Sequence, residues 1–135
     1  MTRAQATILV VDDDAGHCEL VRRHLKRGGI NHPIFPVSNG TQALDFVFCR
    51  GSFVDRSPDA ELLVLLDINM PGIDGIEVLR QIKADPRTKR IPVLMLTSAE
   101  NPREINRCSE YGCSSYITKS VDATALVAAV QESLP

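Results

Sequence analysis

Short apolar runs alternate along this chain with longer segments of helical spacing, and each run gives way to polar residues. Thr7-Ile8-Leu9-Val10-Val11 leads into Asp12-Asp13-Asp14, and Leu62-Leu63-Val64-Leu65-Leu66 leads into Asp67. Val93-Leu94-Met95-Leu96 is followed by Thr97-Ser98, and Ser115-Tyr116-Ile117-Thr118 by Lys119. Unbroken apolar runs of this length are the pattern of parallel strands covered on both faces. Pro33 to Val37 reads as a weaker strand. Pro36 lacks a ladder donor and so places that strand at a sheet edge.

The segments between the runs read as helices. Ala15 to Gly28 carries Cys18, Val21 and Leu25 at helical spacing, and Gly28-Gly29 stops it. A second helix starts at Asn39-Gly40 and runs through Ala43, Leu44 and Val47. The third opens on Asp74-Gly75-Ile76-Glu77, an N-cap acid with glutamate at N3, and buries Ile76, Val78, Leu79 and Ile82 before Asp85-Pro86. Asn101-Pro102-Arg103-Glu104 opens the fourth, which Gly112 closes. The fifth runs from Asp122 through Leu126, Val127 and Val130. Cys49 to Glu61, rich in Gly, Ser, Asp and Pro, reads as an extended loop. Five strands alternating with five helices, joined by right-handed crossovers, predict an α/β fold with a doubly wound parallel sheet.

Composition narrows the function classes. The 135 residues suit a single domain over 1–135, with 44% hydrophobic and 24% charged residues, as in a folded globular chain. A net charge of −2 gives no general attraction to nucleic acid. The basic groups Arg22-Arg23, Lys26-Arg27 and Arg87 to Arg90 read as solvated helix faces or ends. No stretch is long and apolar enough for a membrane span, and no signal-peptide core precedes the first strand, so a cytoplasmic protein is expected. The spacing of Cys18, Cys49, Cys108 and Cys113 matches no zinc pattern, which makes them buried free thiols. His17, His24 and His32 fall at no strand end and read as helix-surface or loop residues.

In a parallel sheet the carboxyl ends of the strands share one edge, and ligands bind there. Asp12, Asp13 and Asp67 would then meet in one cleft with Thr97 and Lys119. Two carboxylates ~4 Å apart repel by ~1 kcal/mol in water and ~4 kcal/mol at intermediate dielectric, so the cluster calls for a cation. Few hard oxygen ligands suit Mg²⁺, which keeps waters and shares its coordination with phosphate. Beside such an ion an aspartate can act as nucleophile and become an aspartyl phosphate. Lys119 supplies a point charge and Thr97 a hydroxyl for phosphoryl oxygens. Asp14 reads as a helix cap.

Val10-Val11-Asp12-Asp13, Leu66-Asp67-Ile68-Asn69-Met70-Pro71 with Asp74-Gly75, Leu96-Thr97-Ser98-Ala99 and Tyr116-Ile117-Thr118-Lys119 together resemble the receiver domain of two-component response regulators. The likeness runs from Ile8 to Leu134. It implies a flavodoxin-like sheet of order 2-1-3-4-5. It also implies that Asp67 is the phosphoacceptor and that Mg²⁺ is held by Asp13, Asp67 and the Asn69 carbonyl, with Asp12 acting through a water. Thr97 and Lys119 would contact the phosphoryl group, and Tyr116 would be the switch aromatic that follows Thr97. Ser120 stands where the family usually has proline, which leaves the placement of Lys119 open. The long Cys49–Glu61 segment and the Ile117-Thr118-Lys119 context resemble the small regulators that partner bacterial phytochromes.

The implied function is a stand-alone regulator phosphorylated by a sensor histidine kinase, of phytochrome type in that subfamily, since the chain stops just after the fifth helix. Its output face would be helix four, strand five and helix five, with Arg103, Arg107, Tyr111, Tyr116, Ala125 and Ala128. The alanines would permit two copies to pack closely as a homodimer. A haloacid-dehalogenase-like phosphatase using Asp12-Asp13-Asp14 is the enzymatic rival, but it needs an acidic pair after the lysine and usually a cap domain. A pseudo-receiver scaffold typically lacks one of the cleft residues, and all are present here. Intrinsic gain and loss of the phosphate aside, no enzyme activity is expected.

Overall fold

The computed structural model describes residues 6–98, 101–119 and 123–134. In chain order the elements are β1 (Thr7–Val11), α1 (Ala15–Arg27), β2 (Ile34–Val37), α2 (Gly40–Val47), β3 (Leu62–Asp67), α3 (Gly75–Ala84), β4 (Val93–Thr97), α4 (Pro102–Glu110), β5 (Ser115–Thr118) and α5 (Ala123–Ser133). The strands form one parallel sheet of order β2-β1-β3-β4-β5. This is the expected flavodoxin-like order, with β2 and its Pro36 at one edge. The opening of α5 at Asp122 and the Lys119-Ser120 turn involve residues outside the described set.

Strand alternation divides the core into two layers. Leu9, Val11, Val64, Leu66, Val93 and Met95 face α2, α3 and α4, where they meet Leu44, Val78, Leu79, Ile82 and Cys108. Ile8, Val10, Leu63, Leu65, Leu94 and Leu96 face α1 and α5, meeting Val21, Leu25, Leu126 and Val130. Every residue of β3 is buried, whereas every residue of β5 is only half-buried. The central strand is therefore the most firmly held part of the sheet, since each buried aliphatic side chain contributes roughly 1.5–3 kcal/mol.

Polar caps set the helix starts. Asp14 accepts the His17 N–H, Asn39 the Gln42 N–H, Asp74 the Glu77 N–H, and Asn101 the N–H groups of Arg103 and Glu104. Asp14 is thus a cap, as its position suggests. Gly75 fulfils a packing need at the start of α3. A Cβ there would lie 2.1 Å from the Asp67 carbonyl oxygen and 2.8 Å from Ile68 Cα. The Gly75 N–H donates to the Ile68 carbonyl at 3.0 Å, which ties α3 directly to the end of β3.

The segment between α2 and β3 is more ordered than its composition suggests. A 3₁₀ turn over Gly51–Phe53 brings Phe53 to 5.0 Å from Phe46 and 5.6 Å from Phe35, ring centre to ring centre. The Arg56 guanidinium stacks 4.5 Å over Phe46. Cys49 lies just beyond α2, at the start of this segment, with φ 54°. All four cysteines are free; Cys108 is buried and the other three are half-buried. Among the described residues, no helix is long and apolar enough to cross a membrane.

Candidate functional site

Sheet register brings the strand-end residues together. Val11 pairs with Leu66, Asp67 with Leu96, and Thr97 with Thr118, so Asp12, Asp67, Thr97 and Lys119 follow one another across the carboxyl edge. The Lys119 N–H donates to the Thr97 carbonyl at 2.5 Å, which links the last two. Oxygen atoms of Asp12, Asp13 and Asp67 all lie within 4.8 Å of one another. Asp12 and Asp67 are each 2% exposed and Thr97 is fully buried, while Asp13 opens to solvent.

Lys119 bridges the two buried carboxylates, with Nζ 3.1 Å from Asp67 Oδ2 and 3.2 Å from Asp12 Oδ2. Asp67 Oδ1 accepts the Asn69 N–H at 3.2 Å. Asp12 Oδ1 accepts the Asp14 N–H at 2.9 Å, and its Oδ2 also meets His17 Nδ1. These surroundings push the two acids in opposite directions. Burial raises Asp12, but the Asp14 N–H, Lys119 and His17 outweigh it and hold the carboxyl below its ordinary value. Burial also raises Asp67, and there Lys119 and the Asn69 N–H do not offset it, because Asp12 adds repulsion. Lys119 loses some affinity for its proton through burial and gains more from Asp67 and Asp12, so it stays charged.

Three oxygen ligands of different burial, one still open to solvent, fit a hard divalent ion that keeps part of its water shell. Asn69 is exposed beside Asp67 in the turn through Met70, Pro71 and Gly72, where Gly72 takes φ 79°. Tyr116 is half-buried and packs against the core layer on the α4 side, paired in register with Met95.

The model of the response regulator receiver domain matches residues 8–131. The chain belongs to this family. The receiver is 37% identical over 124 residues to response regulator Rcp1 of Synechocystis sp., an alignment covering 92% of this chain and 83% of that one. The bacteriophytochrome response regulator RtBRR superposes with a TM-score of 0.85 at 32% identity, over 96% of this chain and 78% of that one. The phosphorylated cyanobacterial phytochrome response regulator RcpA gives 0.81 at 32% identity, over 96% and 91%.

One site residue of the receiver departs from the sequence expectation. His17 was expected at a helix surface or in a loop, yet its ring turns from the first turn of α1 onto Asp12. The available signal was its place three residues after the N-cap Asp14, directly downstream of the acid pair. Helical periodicity does not report that reach, because it sorts apolar from polar faces and His17 lies between them. His24 lies on α1 and His32 in the loop before β2, as expected. Cys18 sits beside the site, with Sγ 3.7 Å from the Asp12 carbonyl oxygen. Burial and the nearby Asp12 push its thiol up to about 11, which leaves it an unreactive packing group.

Proposed function

We propose that this receiver accepts a phosphoryl group on Asp67 from the phosphohistidine of a sensor histidine kinase, in a Mg²⁺-dependent transfer. A carboxylate oxygen of Asp67 attacks phosphorus; the P–O bond forms as the P–N bond breaks. The imidazole leaves with the electron pair and takes a proton from solvent. Lys119 already sits 3.1 Å from Asp67 Oδ2 and is placed to follow charge onto the phosphoryl oxygens. The Thr97 hydroxyl, at the end of the neighbouring strand, would take another oxygen. Asp13, Asp67 and the Asn69 carbonyl would hold the Mg²⁺, with Asp12 acting on it through a water, and the ion supplies charge neutralisation at the phosphoryl group when bound. The observation that carries this reading is the gathering of three carboxylates within 4.8 Å around a shared lysine at the carboxyl edge.

In this reading residues 1–135 form a single receiver domain that acts in the cytoplasm and has no nucleic-acid target of its own. Its likeness to receivers described as phytochrome response regulators supports a phytochrome-type kinase as donor. Added negative charge at Asp67 draws Thr97 toward the phosphate and lets Tyr116 turn inward. That change alters the face of α4, β5 and α5, where Arg103, Arg107, Ala125 and Ala128 are exposed and Tyr111 is half-buried. This face is the proposed site of partner switching and homodimer formation.

Acetyl phosphate or phosphoramidate with Mg²⁺ should label the protein, and Asp67→Asn should abolish the label. Label retained in Asp67→Asn, or formed equally well in excess chelator, would refute the mechanism. Phosphotransfer from a panel of histidine kinases, including phytochrome-type enzymes, identifies the donor.

A further inference from the structure

We infer that His17 is a positioning residue for the cation site: it holds Asp12 in the orientation that serves the cation, independently of Lys119. The inference rests on the reading that Asp12, Asp13 and Asp67 bind a divalent cation. The two partners of Asp12 Oδ2 differ in what else they hold. Lys119 divides its ammonium between Asp12 and Asp67, at 3.2 and 3.1 Å. His17 meets the same oxygen from the first turn of α1, an element separate from the one that carries Lys119.

When Asp67 carries a phosphoryl group, that group competes for the Lys119 ammonium. Asp12 is 2% exposed and has little water to replace it. A buried carboxylate that loses its partner swings away toward another donor, and that ends its service to the cation. His17 prevents this by keeping an N–H on Oδ2 while the Asp14 N–H keeps Oδ1. Since the carboxylate oxygen accepts, the ring proton is at Nδ1.

Local structure keeps the ring in place. The His17 backbone N–H is bound by Asp14 Oδ1 at 3.1 Å, which fixes the first turn of α1. The next residue, Cys18, packs its sulfur against the Asp12 backbone carbonyl. The helix start and the acidic strand end are thus joined three times within seven residues, from Asp12 to Cys18. His17 lies outside the group of ligand atoms that gather within 4.8 Å, so it supports Asp12 and is not a ligand itself. Hydrogen bonds that orient metal ligands typically change metal affinity by about 10–100-fold when removed.

Mn²⁺ titrations of the unphosphorylated full chain, followed by the electron paramagnetic resonance signal of free Mn²⁺, test this. His17→Leu should weaken Mn²⁺ binding by about 10–100-fold. His17→Gln, whose amide can still donate to Asp12, should recover most of the loss. Labelling by phosphoramidate in His17→Leu should fall at low Mg²⁺ and return toward wild type at saturating Mg²⁺. Unchanged Mn²⁺ affinity in His17→Leu, or a Gln variant no better than Leu, overturns the inference while leaving the phosphoacceptor reading intact. A wild-type chain that binds no Mn²⁺ removes the cation reading and this inference together.

Discussion

The ends of β1 and β3 carry two aspartates that look equivalent and are not. Asp12 and Asp67 are equally buried, belong to neighbouring strands and share one lysine. Among the described residues, Asp12 nevertheless receives the Asp14 N–H, Lys119 and His17, whereas Asp67 receives the Asn69 N–H and Lys119. The difference separates their tasks. A fully satisfied carboxylate is a good fixed ligand, and an under-satisfied one keeps electron density for a bond to phosphorus. In the proposed function the better-held acid shapes the site, and the worse-held acid is the one that accepts the phosphoryl group.

The comparison can be broken first at its support. Leu65 lies fully buried in β3, two residues before Asp67. Leu65→Ala should lower unfolding stability by ~2–5 kcal/mol in urea titrations. A loss below ~1 kcal/mol would mean that β3 is not the rigid mount described here.

Next come the acids themselves, compared by thermal and urea unfolding in chelator at neutral pH. Asp12→Asn should cost ~1–3 kcal/mol, since it strands donors that the ionised carboxylate satisfied. Asp67→Asn should be at least as stable as wild type. The pH dependence follows from the direction of each shift. Asp12 is held below its ordinary value, so its stabilising contribution is present at neutral pH and is lost as pH falls through its folded value. Asp67 is raised, so its contribution is present in acid and is lost as pH rises through its folded value. The deficit of Asp12→Asn should therefore shrink on acidification, and any advantage of Asp67→Asn should grow with rising pH. Equal effects of the two variants would erase the distinction.

The smallest effect is expected on β5. Tyr116→Phe keeps the ring of a half-buried edge residue and should change stability by no more than ~0.5 kcal/mol. Its effect should appear instead in phosphorylation-dependent partner binding, measured as a difference in affinity with and without phosphoramidate.

Much of this architecture was legible in the sequence because a parallel sheet writes itself as unbroken apolar runs. Leu62 to Leu66 could hardly have been anything but an interior strand, and the polar residue after each run marked the ligand edge. The N-caps Asp14, Asn39, Asp74 and Asn101 were readable for a similarly local reason. Less was readable where contacts depend on reach. The acid pair Asp12-Asp13 reads as one unit, yet the first is buried just past the end of β1 and the second is exposed in the bend leading to α1. His17 is polar on a helix, and helical periodicity does not reveal that its ring turns back to the strand end, although its place three residues after the Asp14 cap hints at it. The Gly51–Phe53 turn was hidden by composition, because its order comes from Phe35 and Phe46 elsewhere in the chain.

The missing side chain at Gly75 bears on how mutational scans of this protein should be read. With a Cβ placed 2.1 Å from the Asp67 carbonyl oxygen, even alanine would force the helix and the acceptor strand apart. Every substitution there should score as inactive, although the position contributes no group to the chemistry. An intolerance map alone would rank Gly75 beside Asp67. Only a separate measure of folded protein would tell the packing contact from the proposed phosphoacceptor.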